Sequence, residues 1–398
     1  MNALRHSFAG PTGAQPARRR ILFVINSLAG GGAERVMATL LANSQSRLSE
    51  YDITLAVLDD GPRAFDLPEW LKTVQLDCKG GMLRSLTALD RAVAELNPDL
   101  TVSFLTRANL VSGTVMAKRR QPWIISERTS APAHLGSRAR QLATKALMRL
   151  VYPRATRVIA VSGGVAAKLA RSAAVEPANI DVISNPVDVA ALKAAARSKD
   201  ALAFDDPYVI AVGRLVSVKN YRMLIEAFAK SNLPCRLVIA GDGPERDALR
   251  EVAAALGIAD RLIMPGWLAN PYPALAGAAA FALSSNVEGF PNALVEAMAL
   301  GVPVVATNCR DGPAEILARR GVEEISELTV AESGILSPVG DVESYARALQ
   351  LVFEDSRRKS LIVAGRKRAA DYSADTITQR YWEVIERALQ RADAPAAI

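Results

Sequence analysis

The sequence predicts an α/β protein built from two doubly wound domains, each a mostly parallel sheet with helices on both faces. Three observations point there. Short, continuous apolar runs recur along the chain and alternate with stretches of helical character, which is the rhythm of a parallel sheet. Several of those runs end in glycine turns that lead into helices, as at Gly30, Gly31 and Gly32 and again at Gly241 and Gly243. Finally, 398 residues exceed what one core usually organises, and half of them are apolar, enough for two cores.

Residues 21–25 form the first apolar run and are expected to be a strand buried on both faces. The three glycines follow, then a helix over 33–42. They do not spell G-x-G-x-x-G, so a dinucleotide fingerprint fits poorly. They serve either as a tight turn needing only backbone freedom or as a loop facing a ligand. Further strands are expected at 53–58, 100–104, 123–126 and 158–161. Glu127 and Arg128 come at the carboxyl end of one of them, where ligands of this architecture bind. Glu127 has two readings, as a base for an acceptor hydroxyl or as the salt partner of Arg128. His134 is one of two histidines, and an isolated histidine is more often a packing residue.

Charge is distributed unevenly. Residues 1–200 hold 27 Lys and Arg against 16 Asp and Glu, a net of +11, so the remaining residues carry −4 of the overall +7. Residues 101–171 hold 13 basic side chains and one acid, Glu127. A basic helix is expected over 137–150, with Arg138, Lys145 and Arg149 on one face and Leu142, Ala146 and Leu150 alongside. That face is either simply solvated or approaches an anionic membrane or a lipid-linked diphosphate acceptor. Low aromatic content and the lack of a base-reading motif argue against nucleic acid as the partner.

The three cysteines, Cys78, Cys235 and Cys309, are far apart and have no metal-ligand spacing, which suits a reduced, cytoplasmic setting without a bound metal. No secretory signal is expected in the first twenty residues, and no apolar stretch is long enough to span a membrane.

The second half opens with a strand over 208–212 leading to Gly213 and Arg214, then Lys219 and Asn220 and a helix from Tyr221. Two cations beside a strand end suit a diphosphate that must be neutralised as its bond breaks. Strands follow at 236–240, 262–264 and 281–284. Next comes E-G-F-P-N-A-L-V-E, from Glu288 to Glu296. Gly289, Phe290 and Pro291 make a turn, and a short helix over 292–300 is stopped by Gly301 and Pro303. Glu288 then precedes the helix and Glu296 lies about a turn inside it. Their common site would include the helix start, whose N–H groups and dipole favour phosphate or sugar oxygens. Alternatively, both are ordinary surface acids. A strand at 304–307, a helix start near Glu315, a closing strand at 334–337, a helix over 342–355 and a final helix over 376–392 complete the chain, with a frayed tail at 393–398.

Several of these segments resemble retaining glycosyltransferases of family 4, the group 1 glycosyl transferases. The likeness is most specific in E-G-F-P-N-A-L-V-E and G-R-L-x-x-x-K-N, and it extends to G-G-A-E-R, N-P-V-D and G-P-x-E. It implies a GT-B fold: two Rossmann-like domains facing across a cleft, with the last helix crossing back to the first domain. The expected divisions are an extension over 1–19, an acceptor-side domain over 20–186, a linker over 187–206, a donor domain over 207–372, and the crossover helix and tail over 373–398. By resemblance, Glu288 meets the donor sugar, Glu296 holds the ribose, and Arg214 and Lys219 take the diphosphate. Gly213 and the Gly289, Phe290, Pro291 and Asn292 backbone line the donor, with Gly31 and Gly32 across the cleft. Arg128, Arg138, Lys145 and Arg149 form the acceptor or membrane patch. Many members carry a histidine near Glu127, so the chain departs from the pattern there.

The expected activity is metal-independent, retaining transfer of a hexose or N-acetylhexosamine from a nucleotide diphosphate sugar, UDP-linked, to a saccharide or lipid-linked acceptor. No cofactor beyond the donor is implied. Its setting would be cytoplasmic, on the inner face of the membrane, in cell-surface glycan synthesis. Two alternatives keep the fold: a nucleotide-sugar epimerase, or a membrane-associated binder of sugar nucleotides without turnover.

Overall fold

In the computed structural model, residues 18–128, 138–198 and 206–393 are described. The first domain runs β1 (Arg19–Ile25), α1 (Gly32–Ala42), β2 (Tyr51–Val57), β3 (Lys72–Gln75), α2 (Met82–Leu96) and β4 (Leu100–Phe104). It continues with α3 (Thr106–Arg119), β5 (Trp123–Glu127), α4 (Arg138–Val151), β6 (Arg157–Ala160), α5 (Gly163–Ala173) and β7 (Ile180–Val182). Its sheet has the order β3-β2-β1-β4-β5-β6-β7, and all its pairings are parallel. Residues 21–25 of β1 are buried throughout, as an all-apolar central strand requires.

After α6 (Val189–Ala195), capped by Asp188 within the stretch assigned to the linker, the second domain begins at β8 (Tyr208–Val212). It continues through α7 (Tyr221–Ser231), β9 (Arg236–Ala240), α8 (Arg246–Ala255), β10 (Leu262–Gly266), α9 (Tyr272–Ala276), β11 (Ala280–Leu283) and α10 (Asn292–Leu300). Then come β12 (Val304–Thr307), α11 (Pro313–Leu317), β13 (Thr329–Val330), β14 (Ile335–Ser337), α12 (Val342–Val352), α13 (Asp355–Ala370) and α14 (Ala374–Asp393). The sheet order is β10-β9-β8-β11-β12-β14-β13, parallel except for the β13–β14 edge.

Both sheets reverse strand order beside their first strand, β1 or β8, so each has a crevice at its strands' carboxyl ends. The chain crosses between domains twice, side by side. Val187 N–H donates to the Tyr372 carbonyl at 2.7 Å, and Ala374 N–H donates to the Val187 carbonyl at 3.1 Å. Helix α14 then returns to the first domain, as expected. Ile377, Tyr381, Trp382 and Ile385 are buried in one cluster with residues of β1, β2 and β4. The Trp382 ring lies 4.8 Å from Tyr51, and its Nε1–H donates to Ser44 Oγ at 2.9 Å. This is the two-domain GT-B architecture.

Candidate active site

Two loops at the carboxyl ends of β8 and β11 form the second-domain wall of the cleft, and they are stitched together. Asn286 N–H donates to the Val218 carbonyl at 2.8 Å, and Ser284 Oγ donates to the Lys219 carbonyl at 2.7 Å. This framework brings Lys219 Nζ to 2.5 Å from Glu288 Oε1, which also accepts from Ser285 Oγ at 2.6 Å. The Glu288 side chain is only 10% exposed. Arg214 stands exposed on the first of these loops, and its side chain has no partner among the described residues.

Helix α10 starts at Asn292 and is closed by Gly301 in the left-handed region, φ 83°. Pro291 sits just before the first turn, and no side chain caps the helix. The first N–H groups therefore keep their capacity to bind an anion. The Phe290 ring turns away into the core, packing edge-on against Tyr372 at 5.4 Å, so Phe290 can offer a ligand only its backbone.

Glu296 lies a turn inside α10 and is buried. Its Oε1 accepts from Arg35 Nη1 at 2.6 Å, and the same Nη1 lies 2.6 Å from the Tyr272 hydroxyl. Burial raises the Glu296 pKa above the ordinary glutamate value, opposed by the charge of Arg35. Burial likewise pushes Tyr272 up to about 12, so its phenol stays protonated. Glu288 and Glu296 thus flank the helix start as expected, each with its own partners.

The first domain meets this wall at its glycine loop. A side chain on Gly32 would place its Cβ 2.9 Å from Asn292 Nδ2, so glycine allows α1 to approach α10 closely. Asn292 Oδ1 also accepts from Asn185 Nδ2 at 2.6 Å. Farther along the cleft, Glu315 reaches across to the start of α5, accepting from the Gly163 and Gly164 N–H groups at 3.0 and 3.2 Å. A Cβ on Gly164 would fall 1.5 Å from Asp311 Oδ1, so it would force the Asp311 side chain to move.

Two expectations on the first-domain side are corrected. Glu127 is 1% exposed and ends β5 as a buried acceptor. It takes hydrogen bonds from the Tyr152 hydroxyl at 2.7 Å, from Thr106 Oγ1 at 3.3 Å and from the Arg128 N–H at 3.1 Å. Enclosed in this way, it is out of reach of an acceptor hydroxyl. Arg128 does not belong to the surface patch either: it is 7% exposed. Its guanidinium lies 4.7 Å from the Phe104 ring centre and donates to Asn185 Oδ1 at 2.7 Å and to the Tyr381 hydroxyl, rather than pairing with Glu127. Arg138, Lys145 and Arg149 do stand exposed together on α4, with Leu142 and Leu150 also open to solvent. His134 lies outside the described residues.

Sequence reasoning passed over Arg35, Tyr272 and the Arg107–Asp59 ion pair at the strand ends of the first domain. Arg35 was within reach, since it is the last letter of G-G-A-E-R. Tyr272 was not, because nothing in its local sequence ties it to a glutamate 24 positions later.

Comparison with known proteins gives the family and the fold. Residues 12–186 match the family described as glycosyl transferase 4-like domain, and residues 193–368 match glycosyl transferases group 1. The chain belongs to the family 4, group 1 glycosyltransferases. It is 27% identical over 347 residues, 84% of this chain and 90% of the relative, to the N-acetylgalactosamine-N,N'-diacetylbacillosaminyl-diphospho-undecaprenol 4-alpha-N-acetylgalactosaminyltransferase of Campylobacter jejuni. It is 35% identical over 209 residues, 52% of this chain and 57% of the relative, to the lipopolysaccharide core biosynthesis glycosyltransferase LpsE of Rhizobium meliloti. Anabaena HepE, solved with UDP and glucose, shares the fold at a TM-score of 0.71 and 20% identity, covering 93% of this chain and all of HepE.

Proposed function

We propose that the protein transfers a hexose or N-acetylhexosamine from a UDP-linked donor to a lipid-linked saccharide acceptor, with retention at the anomeric carbon and without a metal. The observation that carries this reading is that Lys219 pairs with Glu288 on loops of one cleft wall that also carries exposed Arg214 and the uncapped start of α10. A departing diphosphate needs positive charge placed in advance, which Arg214, Lys219 and the helix start supply. Glu288 would orient the sugar, and Lys219 would hold that carboxylate until the donor arrives. Glu296 would accept the ribose hydroxyls. The acceptor would then attack from the face the diphosphate leaves.

The acceptor class is supported by the diphospho-undecaprenol substrate in the name of the Campylobacter relative and by the character of α4. Among the described residues no helix is long and apolar enough to cross a membrane. However, α4 presents Arg138, Lys145 and Arg149 beside Leu142, which is 62% exposed, and carries no acid. A cationic stripe flanking an apolar one suits an anionic lipid surface, and we place the enzyme on the inner face of the membrane.

A thermal-shift series of nucleotide sugars tests the donor: a cognate donor at 100 times its Kd stabilises by about 2.7 kcal/mol. Labelled donor with and without a lipid diphosphate saccharide then tests the reaction. Transfer is the expected result. An isomerised donor in the absence of acceptor identifies an epimerase, and binding without turnover identifies a non-catalytic binder.

A further inference from the structure

Glu296 is a buried acid of the donor wall, and its counter-charge comes from the opposite domain. A buried carboxylate is costly unless it is paired and hydrogen-bonded. Among the described residues, its ion-pair partner is Arg35 of α1. Arg35 lies three residues beyond Gly32, the position that packs against Asn292, so the same helix that meets α10 across the cleft delivers the cation. The guanidinium is held between aromatic rings, 5.6 Å from the centre of Phe65 and 5.8 Å from that of Tyr272. A single nitrogen, Nη1, serves both Tyr272 and Glu296.

Three elements, α1, α9 and α10, therefore meet at one guanidinium nitrogen, Arg35 Nη1. Moving the first domain away would leave Glu296 facing only Tyr272, and its orientation would no longer be fixed from the other side. We propose that Arg35 is a positioning residue for the donor: it orients Glu296 toward the ribose and couples capture of the nucleotide to closure of the first domain. This rests on the reading of Glu296 as the ribose-binding acid. A plain interdomain strut would affect stability alone, whereas a positioning residue changes nucleotide affinity and the donor KM.

The test titrates UDP, with GDP as a second probe, into the full-length wild type, Arg35→Gln, Arg35→Lys and Tyr272→Phe. The interdomain distance is followed in parallel by paired labels. Arg35→Gln is expected to weaken UDP binding about tenfold, as for loss of the partner of a buried carboxylate from a charge pair whose cation is partly open to solvent. The donor KM should rise in step, the acceptor KM should stay unchanged, and UDP should no longer shorten the label distance. Arg35→Lys should recover part of the affinity. Tyr272→Phe, which leaves the charges balanced, should weaken binding by a smaller factor. A folded Arg35→Gln variant that binds UDP and closes like the wild type overturns the proposal. If the wild type binds neither UDP nor GDP, the donor-site reading fails and this proposal falls with it.

Discussion

In the proposed ribose-binding role Glu296 would accept hydroxyls best when ionised, yet its burial favours the protonated form. Two opposite pH trends follow. Its pKa is raised in the folded protein, so its contribution to stability is fully present below the ordinary glutamate value of 4.5 and is lost as pH rises through the raised value. UDP affinity runs the other way and should fall on acidification before an ordinary glutamate would protonate. Thermal midpoints against pH, with and without UDP, should show both trends as differences between wild type and Glu296→Gln; identical profiles would refute them. At Glu127 the sequence suggested chemistry where the fold uses an acceptor. Its partner Tyr152 lies 25 positions away, and no local pattern announces that contact. Glu127→Gln turns one acceptor oxygen into a donor amid donors, so it should cost about 1–3 kcal/mol in urea unfolding while UDP affinity is kept. Weakened UDP binding at full stability would return Glu127 to the site.

The elements legible in the sequence were those whose burial is periodic or complete. Strand β1 is a run of buried apolar residues, and α14 shows its buried stripe of Ile377, Tyr381 and Ile385 at helical spacing. Strand β3, K-T-V-Q, sits at a sheet edge with no fully buried residue, and β7 is three residues long at the other edge, so neither stood out. Helix α13 was missed because only Leu361, Gly365 and Ala369 are buried along sixteen mostly charged and polar positions. The crossing of α14 came from family resemblance, since periodicity states that a face is buried but not against what. That packing predicts that Trp382→Ala, which empties a fully buried site in the first-domain core, costs about 3–5 kcal/mol in denaturant unfolding. A loss below 1 kcal/mol would mean that the helix docks only weakly. For α4, reversing Arg138, Lys145 and Arg149 to glutamate should abolish sedimentation with anionic vesicles, and added salt should weaken the wild type in the same way. Unchanged sedimentation would leave the face merely solvated.

Across the whole molecule, the cleft is bridged at points the sequence could not pair: Arg35 with Glu296, Asn185 with Asn292, and the start of α5 with Glu315. The second-domain half of the candidate site was legible because Arg214, Lys219, Glu288 and Glu296 fall within two compact motifs. The first-domain half was not, because its contributions arrive one residue at a time from separate strand ends. With positive charge supplied by side chains and a helix start, transfer should continue in excess EDTA, and loss of turnover on chelation would require a metal in the mechanism. The most direct measurement is the rate of sugar transfer from a UDP-linked donor to a lipid diphosphate saccharide by wild type, Glu288→Ala and Arg214→Ala, each verified as folded. The wild type should transfer, and each variant should lose about a hundredfold or more in rate, the scale at which charge-stabilising groups act. Wild-type turnover in both variants would place the chemistry elsewhere.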